Sequence, residues 1–160
     1  MTERVGIFLD VQNIYYTVRD GFSGQFDYNK FWRKVVTKDI QLVTSYAYAI
    51  DRGDQKQIQF QNILRGIGFE VKLKPYITRA DGTTKGDWDV GITIDMLELS
   101  DSIDRFIMLS GDGDMSMLVD ALISKGKTVD VYGVQELTAD SLIKSATNFI
   151  PIDESFLIRR

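Results

Sequence analysis

The sequence of 160 residues contains no cysteine and no histidine. Their absence excludes disulfide frameworks, zinc sites built from Cys and His, thiol nucleophiles and every Ser-His or Cys-His mechanism. Any metal ion would need oxygen ligands, which favours magnesium, manganese or calcium. Only two prolines occur, and no linker rich in Pro, Gly or Ser interrupts the chain. We therefore expect residues 1–160 to form a single domain with its own core.

Long apolar runs are also missing. No stretch approaches the length that spans a membrane, and the N-terminal MTERVGIFLD carries an apolar run of strand length only. We therefore expect a cytoplasmic protein with no membrane partner. The formal net charge of -4 argues mildly against a general nucleic-acid binder, because affinity for phosphates comes from Lys and Arg. A local basic patch remains compatible with that charge.

Strand signals alternate with helix signals along the chain. Apolar, β-branched and aromatic runs predict strands over residues 5–10, 42–50, 69–77, 105–110, 128–133 and 149–152. Apolar residues at helical spacing predict helices over residues 28–35, 60–67, 90–97 and 115–122, with a shorter candidate at 138–145. Such alternation is typical of βαβ units, so we expect an α/β fold whose mostly parallel sheet is covered on both faces.

Acidic residues follow three of the predicted strands. Asp10 ends the first strand, Asp112 and Asp114 follow the fourth, and Asp87 and Asp89 begin the helix after the third. In a parallel α/β sheet these positions share the carboxyl edge, where ligands bind at a topological switch point. Mutual repulsion among the carboxylates requires a lysine, an arginine or a divalent cation between them.

A structural interpretation competes at each position. An isolated aspartate at a helix start is more often a cap that stabilises by about 1 kcal/mol than a metal ligand. Asp10 fits that interpretation less well, because an unpaired charge at the end of an apolar strand is costly to bury. Asn13 could face the same site or bond the local backbone, and Ser110 could contact a phosphate or the following turn. Gly111 and Gly113 would allow a close approach or a positive φ.

The segments FLDVQNI, KGDWDVGITIDM, LSGDGDM, GKTVDVYGV and LIKSATNFIPID together resemble the NYN domain. More narrowly, the chain is similar to LabA-like proteins of the PIN-like nuclease superfamily. The resemblance implies a Rossmann-like, three-layer α/β/α domain with strand order 3-2-1-4-5. It also implies a metal-dependent ribonuclease that hydrolyses RNA phosphodiester bonds, or a relative of such an enzyme.

The resemblance also assigns roles to residues. Asp10 and Asn13 match its first motif, Asp89 matches the aspartate before Val in the second, and Asp112 and Asp114 match the third. It implies that these five are catalytic and that the four aspartates bind one or two Mg²⁺ or Mn²⁺ ions. Such ions neutralise charge on the phosphate and activate a water.

The resemblance does not define the roles of two further acids. Asp87 is an extra carboxylate to which the resemblance gives no role. Asp95 matches another frequent acid of the family but follows Asp89 by six residues, which is about 240° around a helix. Asp89 and Asp95 therefore cannot face one ion equally.

A basic segment, VKLKPYITRADGTTK, leads toward the acidic edge. We expect its cations, with Ser110, to contact the backbone of single-stranded RNA; they are Lys72, Lys74, Arg79 and Lys85. The simpler interpretation is that the lysines solvate an edge strand. Aromatic side chains nearby could stack on bases or belong to the core; they are Tyr15, Tyr16, Tyr76 and Trp88.

Competing functions are separable in part. A haloacid-dehalogenase-like phosphatase would need an aspartate two residues after Asp10, where this chain has Gln12. The Gly-rich loops of P-loop and dinucleotide-binding proteins are absent. A non-catalytic nucleic-acid-binding or regulatory module of the same fold remains the alternative to an enzyme. The motifs are compatible with RNA and with DNA, and with a homodimer or a protein partner.

Overall fold

The computed structural model describes residues 2–75, 77–78, 84–85 and 87–158, with the backbone alone for residues 75, 77–78 and 84–85. Its strands are β1 Glu3–Asp10, β2 Ile40–Asp51, β3 Glu70–Pro75, β4 Ile77–Thr78, β5 Thr84–Lys85, β6 Arg105–Leu109, β7 Thr128–Gly133 and β8 Asn148–Pro151. Its helices are α1 Val11–Phe22, α2 Tyr28–Val35, α3 Gln55–Ile67, α4 Asp89–Glu98, α5 Ser116–Ser124 and α6 Asp140–Ser145.

Six strands form one sheet in the order β3-β2-β1-β6-β7-β8, and every neighbouring pair is parallel. Counted within this sheet alone, the order is 3-2-1-4-5-6, so the predicted α/β fold is confirmed and β8 extends the predicted order by one strand. The chain builds outward from β1 in one direction and then from β6 in the other. The topological switch point therefore lies between β1 and β6.

Helices cover both faces of the sheet. One hydrophobic cluster includes Ile7 and Leu9 and packs beneath the helices α1, α2 and α3. The other includes Phe8 and packs beneath α4, α5 and α6. Because alternate residues of β1 enter opposite clusters, this strand is buried on both sides, as its uninterrupted apolar run predicts.

The predicted helices all occur, with differences in detail. Asp27 caps α2 and accepts a hydrogen bond from the Lys30 backbone amide at 3.1 Å. Gly66 lies inside α3, and the helix ends at Gly68, whose φ is +139°. Among the described residues, no helix is both long enough and apolar enough to cross a membrane.

The apolar spacing on α4 predicts the helix but not its buried face. Ile92 and Met96 pack into the core, whereas Val90 is 72% exposed and Ile94 and Leu97 are also exposed. Because α4 is apolar on more than one side, periodicity alone could not choose which side faces the sheet. The strand predicted over residues 69–77 was too long, because β3 ends at Pro75 and Ile77 belongs to β4. The short antiparallel pair β4–β5 was not predicted, since two-residue strands carry too little pattern.

Candidate metal centre

Asp10 and Ser110 lie side by side at the switch point. Leu9 pairs with Leu109 in the parallel β1–β6 register, so the residues that follow each strand leave the sheet together. The Ser110 hydroxyl donates to Asp10 Oδ2 at 3.4 Å. The backbone N–H of Asn13 donates to Asp10 Oδ1 at 3.4 Å, so Asp10 caps α1. Asp10 is 9% exposed, and these two bonds fix the orientation of its carboxylate.

Asn13 ties α1 to the loop after β6. Its side-chain Oδ1 accepts a hydrogen bond from the Gly111 amide at 2.8 Å. The Ser110 hydroxyl oxygen accepts from the Asp112 amide at 3.2 Å. Asn13 lies in the first turn of α1. Its side-chain carbonyl accepts from a residue 98 positions away and does not bond the local backbone. The loop that carries Asp112 is therefore held from two sides.

Three carboxylates come together beside this loop. Oxygen atoms of Asp89, Asp112 and Asp114 lie within 4.8 Å of one another. Asp112 Oδ1 accepts from the Asp114 amide at 2.9 Å and caps the 3₁₀ turn Gly113–Met115, so part of its predicted capping role is present. Asp89 is the first residue of α4 and makes no capping bond, since the N-cap position is held by Trp88. The helix-cap interpretation therefore fails for Asp89.

The electrostatics of this cluster are unfavourable as it stands. Burial, together with the charge of Asp112, raises the pKa of Asp10 to about 6. Burial and the neighbouring Asp112 carboxylate raise the pKa of Asp89 to about 7, and Asp87 and Asp10 add to the effect. Asp89 Oδ1 is buried and has no hydrogen-bond partner. Among the side chains that the structure describes, no lysine or arginine forms an ion pair with these acids.

A cavity of about 240 Å³ opens onto the cluster. Its lining residues are Asp10, Gln12, Asn13, Tyr16, Thr17, Asp87, Asp89 and Asp112. Asp87, whose role the sequence left open, thus borders the same space, whereas Asp114 joins the carboxylates without lining the cavity. The sequence pattern assigns no role to Thr17, and Gln12 serves there only to argue against a phosphatase. The spacing of four residues between Asn13 and Thr17 was the signal that could have identified Thr17, whereas no such signal identifies Gln12.

Two glycines in the loop after β6 are needed for close packing. A Cβ added at Gly111 would lie 3.0 Å from the Leu137 carbonyl oxygen, and one added at Gly113 would lie 2.9 Å from Ala139 Cβ. Neither glycine is among those with a positive φ. Of the two roles expected for them, close approach is the one present.

Asp95 belongs to a separate network on α4. Its Oδ2 accepts from the Tyr48 hydroxyl at 2.8 Å and from Lys72 Nζ at 2.7 Å. Burial and the bond to Asp95 raise the pKa of the Tyr48 hydroxyl. Asp95 therefore faces β2 and β3, as the helical angle from Asp89 indicated, and it anchors α4 to the sheet.

The basic segment is described only in part. Lys72 is paired with Asp95 and lies 4.1 Å from the centre of the Tyr46 ring. Lys74 lies 5.1 Å from the centre of the Trp88 ring, and Trp88 Nε1 donates to the Ala49 carbonyl at 2.8 Å. The predicted contacts Arg79 and Tyr76, and the side chain of Lys85, lie outside the described residues.

Comparison with known proteins agrees with this architecture. The family model of the NYN domain, which describes the sequences of that family, matches residues 4–153. A crystal structure of a protein of unknown function from Vibrio parahaemolyticus superposes with a TM-score of 0.93 at 52% sequence identity, covering 98% of this chain and 97% of that one. No curated protein matches the sequence. The match over residues 4–153 places the chain in the NYN domain family, a family of PIN-like nucleases.

Proposed function

We propose that this protein is a metal-dependent ribonuclease that hydrolyses RNA phosphodiester bonds at the carboxylate cluster. The observation that carries the proposal is the buried, unpartnered Asp89 Oδ1 beside the oxygens of Asp112 and Asp114. A buried charge without a partner is costly, and a divalent cation would supply the missing positive charge. Membership of a nuclease family supplies the substrate class.

The donor set fits Mg²⁺ or Mn²⁺. Asp89, Asp112 and Asp114 offer carboxylate oxygens only, which hard divalent cations prefer. Asp10 would complete the set from the end of β1, because it lines the same cavity and its orientation is fixed by Ser110 and the Asn13 amide. These residues would hold one or two ions. When bound, such ions neutralise charge on the phosphate and activate a water for attack.

The remaining polar groups would position the substrate. Asn13 lines the cavity, and its Oδ1 is already used by the Gly111 amide. Its Nδ2 hydrogens are therefore the donors left for an oxygen of the scissile phosphate. Thr17 donates to the Asn13 carbonyl at 2.8 Å and helps to fix this turn of α1. Asp87 also borders the cavity and would add to the negative field that attracts the cation.

Electrostatics predicts an order of binding. The cluster is acidic, so a phosphate would be repelled until a cation is present. The rest of the RNA backbone would be contacted by Lys74, Arg79 and Lys85. Lys72 would contribute less to RNA binding, because it is already paired with Asp95. We also take residues 1–160 as one domain, since one sheet supports both hydrophobic clusters.

The test is a cleavage assay paired with thermal melting. Wild-type protein should cleave a labelled single-stranded RNA with Mn²⁺ or Mg²⁺ and melt at a higher temperature when the ion is present. Asp89→Asn should abolish both effects while melting at or above the wild-type temperature in EDTA. Asp120→Asn, which changes an exposed aspartate of α5 outside the cluster, is the matched control and should behave as wild type.

Two results would contradict the proposal in different ways. Wild-type protein that melts identically with and without Mn²⁺ and leaves RNA intact would exclude a metal-dependent enzyme. Metal-dependent RNA binding without cleavage would instead favour the non-catalytic binding module. DNA of the same sequence, run in parallel, separates a ribonuclease from a nuclease that accepts both substrates.

A further inference from the structure

The exposed side of α1 borders a second cavity besides the one at the carboxylates. This cavity has a volume of about 380 Å³ and is lined by Tyr15, Arg19, Ser23, Gly24 and Gln25. That volume lies within the range of small-molecule sites. Tyr16, the neighbour of Tyr15, lines the carboxylate cavity. One helix thus connects the candidate metal centre to a further binding space.

An aromatic and cationic cluster lies between the two cavities. The rings of Tyr15 and Tyr16 meet edge to face, with centroids 5.3 Å apart. The Arg19 guanidinium lies 4.8 Å from the Tyr16 centroid and 5.9 Å from that of Tyr15. Tyr15 is 49% exposed, so this cluster is open to solvent and not part of the core. Exposed tyrosine faces beside a guanidinium are the groups on which unpaired bases stack.

The second cavity suits a base better than a phosphate. It lies where α1 ends, and the C-terminal end of a helix carries partial negative charge. Ser23 adopts a left-handed conformation there with φ 54°, and its amide donates to the Arg19 carbonyl at 2.9 Å. The guanidinium of Arg19 is itself paired with Asp20 at 3.2 Å. The partial negative charge of the helix end and the paired guanidinium favour the N–H edge of a base over an anion.

The separation of the two sites matches a short strand. Arg19 follows Asn13 by six residues, which is about 9 Å along the axis of α1 and about 240° around it, so the path between the two side chains is longer than this rise. At roughly 3.4 Å per stacked nucleotide, such a path spans at least three nucleotides. We propose that Tyr15, Tyr16 and Arg19 form a stacking subsite for an unpaired base at least three nucleotides from the phosphate at the carboxylates. The inference rests on the proposed function and makes single-stranded RNA the substrate.

Binding can be measured separately from cleavage. We would titrate a fluorescein-labelled RNA octamer with protein in Ca²⁺, an oxygen-binding cation, and measure cleavage of the same octamer separately in Mn²⁺. Tyr15→Ala and Tyr16→Ala should each weaken binding about tenfold, the order expected for losing one stacked base. Tyr15→Phe and Tyr16→Phe keep the ring face and should retain most of the affinity. Circular dichroism verifies that each variant is folded.

The site of stacking is tested with a matched oligonucleotide series. An abasic nucleotide is moved along the octamer, and wild-type protein should lose about tenfold in affinity when it reaches one position. Tyr16→Ala should not distinguish the abasic octamer from the intact one at that position. Arg19→Ala should weaken binding, whereas Arg65→Ala, which removes an exposed arginine from α3, controls for general loss of charge.

The outcomes separate the subsite from the enzyme. Alanine variants that bind as wild type, or that still detect the abasic position fully, would overturn the subsite even if RNA is cleaved. Tyrosine-dependent binding without cleavage would retain the subsite and overturn the ribonuclease. No binding to the octamer in Ca²⁺, with or without cleavage in Mn²⁺, would overturn the subsite as well.

Discussion

Acidic side chains at the two ends of the sheet differ in whether they have a basic partner. Where the strands begin, Arg105 Nε bonds Glu3 at 2.9 Å, and Arg105 Nη1 bonds Asp130 at 2.6 Å. Arg4 similarly pairs with Asp104 at 2.9 Å. Where the strands end, the acids Asp10, Asp87, Asp89, Asp112 and Asp114 have no such partner among the described side chains.

We interpret this difference as one between acids that stabilise the fold through ion pairs and acids whose charge is left for a ligand. Asp104 has its partner within the chain and needs no ligand: the Arg4 guanidinium lowers the pKa of Asp104 to about 2. Burial and the charge of the neighbouring acids raise the pKa of Asp89 to about 7. A cation from outside the chain would stabilise the anionic form of such an acid.

The clearest way to break this comparison is Asp112→Asn. The charge of Asp112 contributes to the raised pKa of both Asp10 and Asp89, and its effect on each is larger than that of Asp87. At a metal concentration 100 times Kd, wild-type protein should gain about 2.7 kcal/mol in unfolding free energy, and this variant should gain almost none. Chemical denaturation with and without Mn²⁺ measures the difference. An undiminished gain would remove Asp112 from the ligand set.

The opposite edge should respond in the opposite way. Arg105→Met leaves Glu3 and Asp130 without their shared partner, so the unfolding free energy should fall on the order of 2 kcal/mol. The gain from Mn²⁺ should stay as in wild type, since the cluster is at the other end of the strands. Arg105→Lys, which restores a charge without the two-armed geometry, should recover only part of the loss. Loss of the metal effect in Arg105→Met would show that the two edges are coupled.

A smaller effect is expected for Asp10→Asn without metal. The pKa of Asp10 is raised from 3.8 to about 6, so the folded protein binds more protons than the unfolded chain between these values. The unfolding free energy of metal-free wild type should therefore fall as the pH rises from about 4 to about 7. The variant removes this contribution and should gain on the order of 1 kcal/mol at pH 8. Denaturation in EDTA at pH 5 and pH 8 measures it; a variant less stable than wild type at pH 8 would contradict the argument.

The smallest effect is expected at the exposed pair Arg4–Asp104. Because the pKa of Asp104 is lowered, its contribution is present above about pH 4 and is lost as the pH falls toward 2. Asp104→Asn should therefore lower the melting temperature slightly at pH 7 and not at pH 2. Raising the salt concentration should shrink the difference at pH 7, since both side chains are accessible to solvent. A difference of equal size at both pH values would indicate that the charge is not its cause.

The sequence was most informative where apolar runs end in acids. The runs before Asp10 and Ser110 predicted two buried neighbouring strands, and parallel pairing then required their ends to meet. It was less informative where rotation or a distant partner decides the outcome. The face of α4 that carries Ile92 could not be chosen from periodicity, and the partner of Lys72 is an aspartate 23 residues away on another element. Partners of that kind are set by packing, which a local pattern does not contain.

The bond between Ser110 and Asp10, which joins residues 100 positions apart, has a consequence for folding kinetics. Closing so long a loop is entropically costly, and Asp10 lies in the first half of the chain whereas Asp89, Asp112 and Asp114 lie in the second. A cation that uses Asp10 as a ligand can therefore complete its site only after β1 and β6 have paired. Interactions that form after the transition state slow unfolding and leave the folding rate nearly unchanged. Added Mn²⁺ should accordingly shift the unfolding arm of a chevron plot and leave its folding arm in place. The ion would then slow the unfolding of the assembled sheet without accelerating its formation.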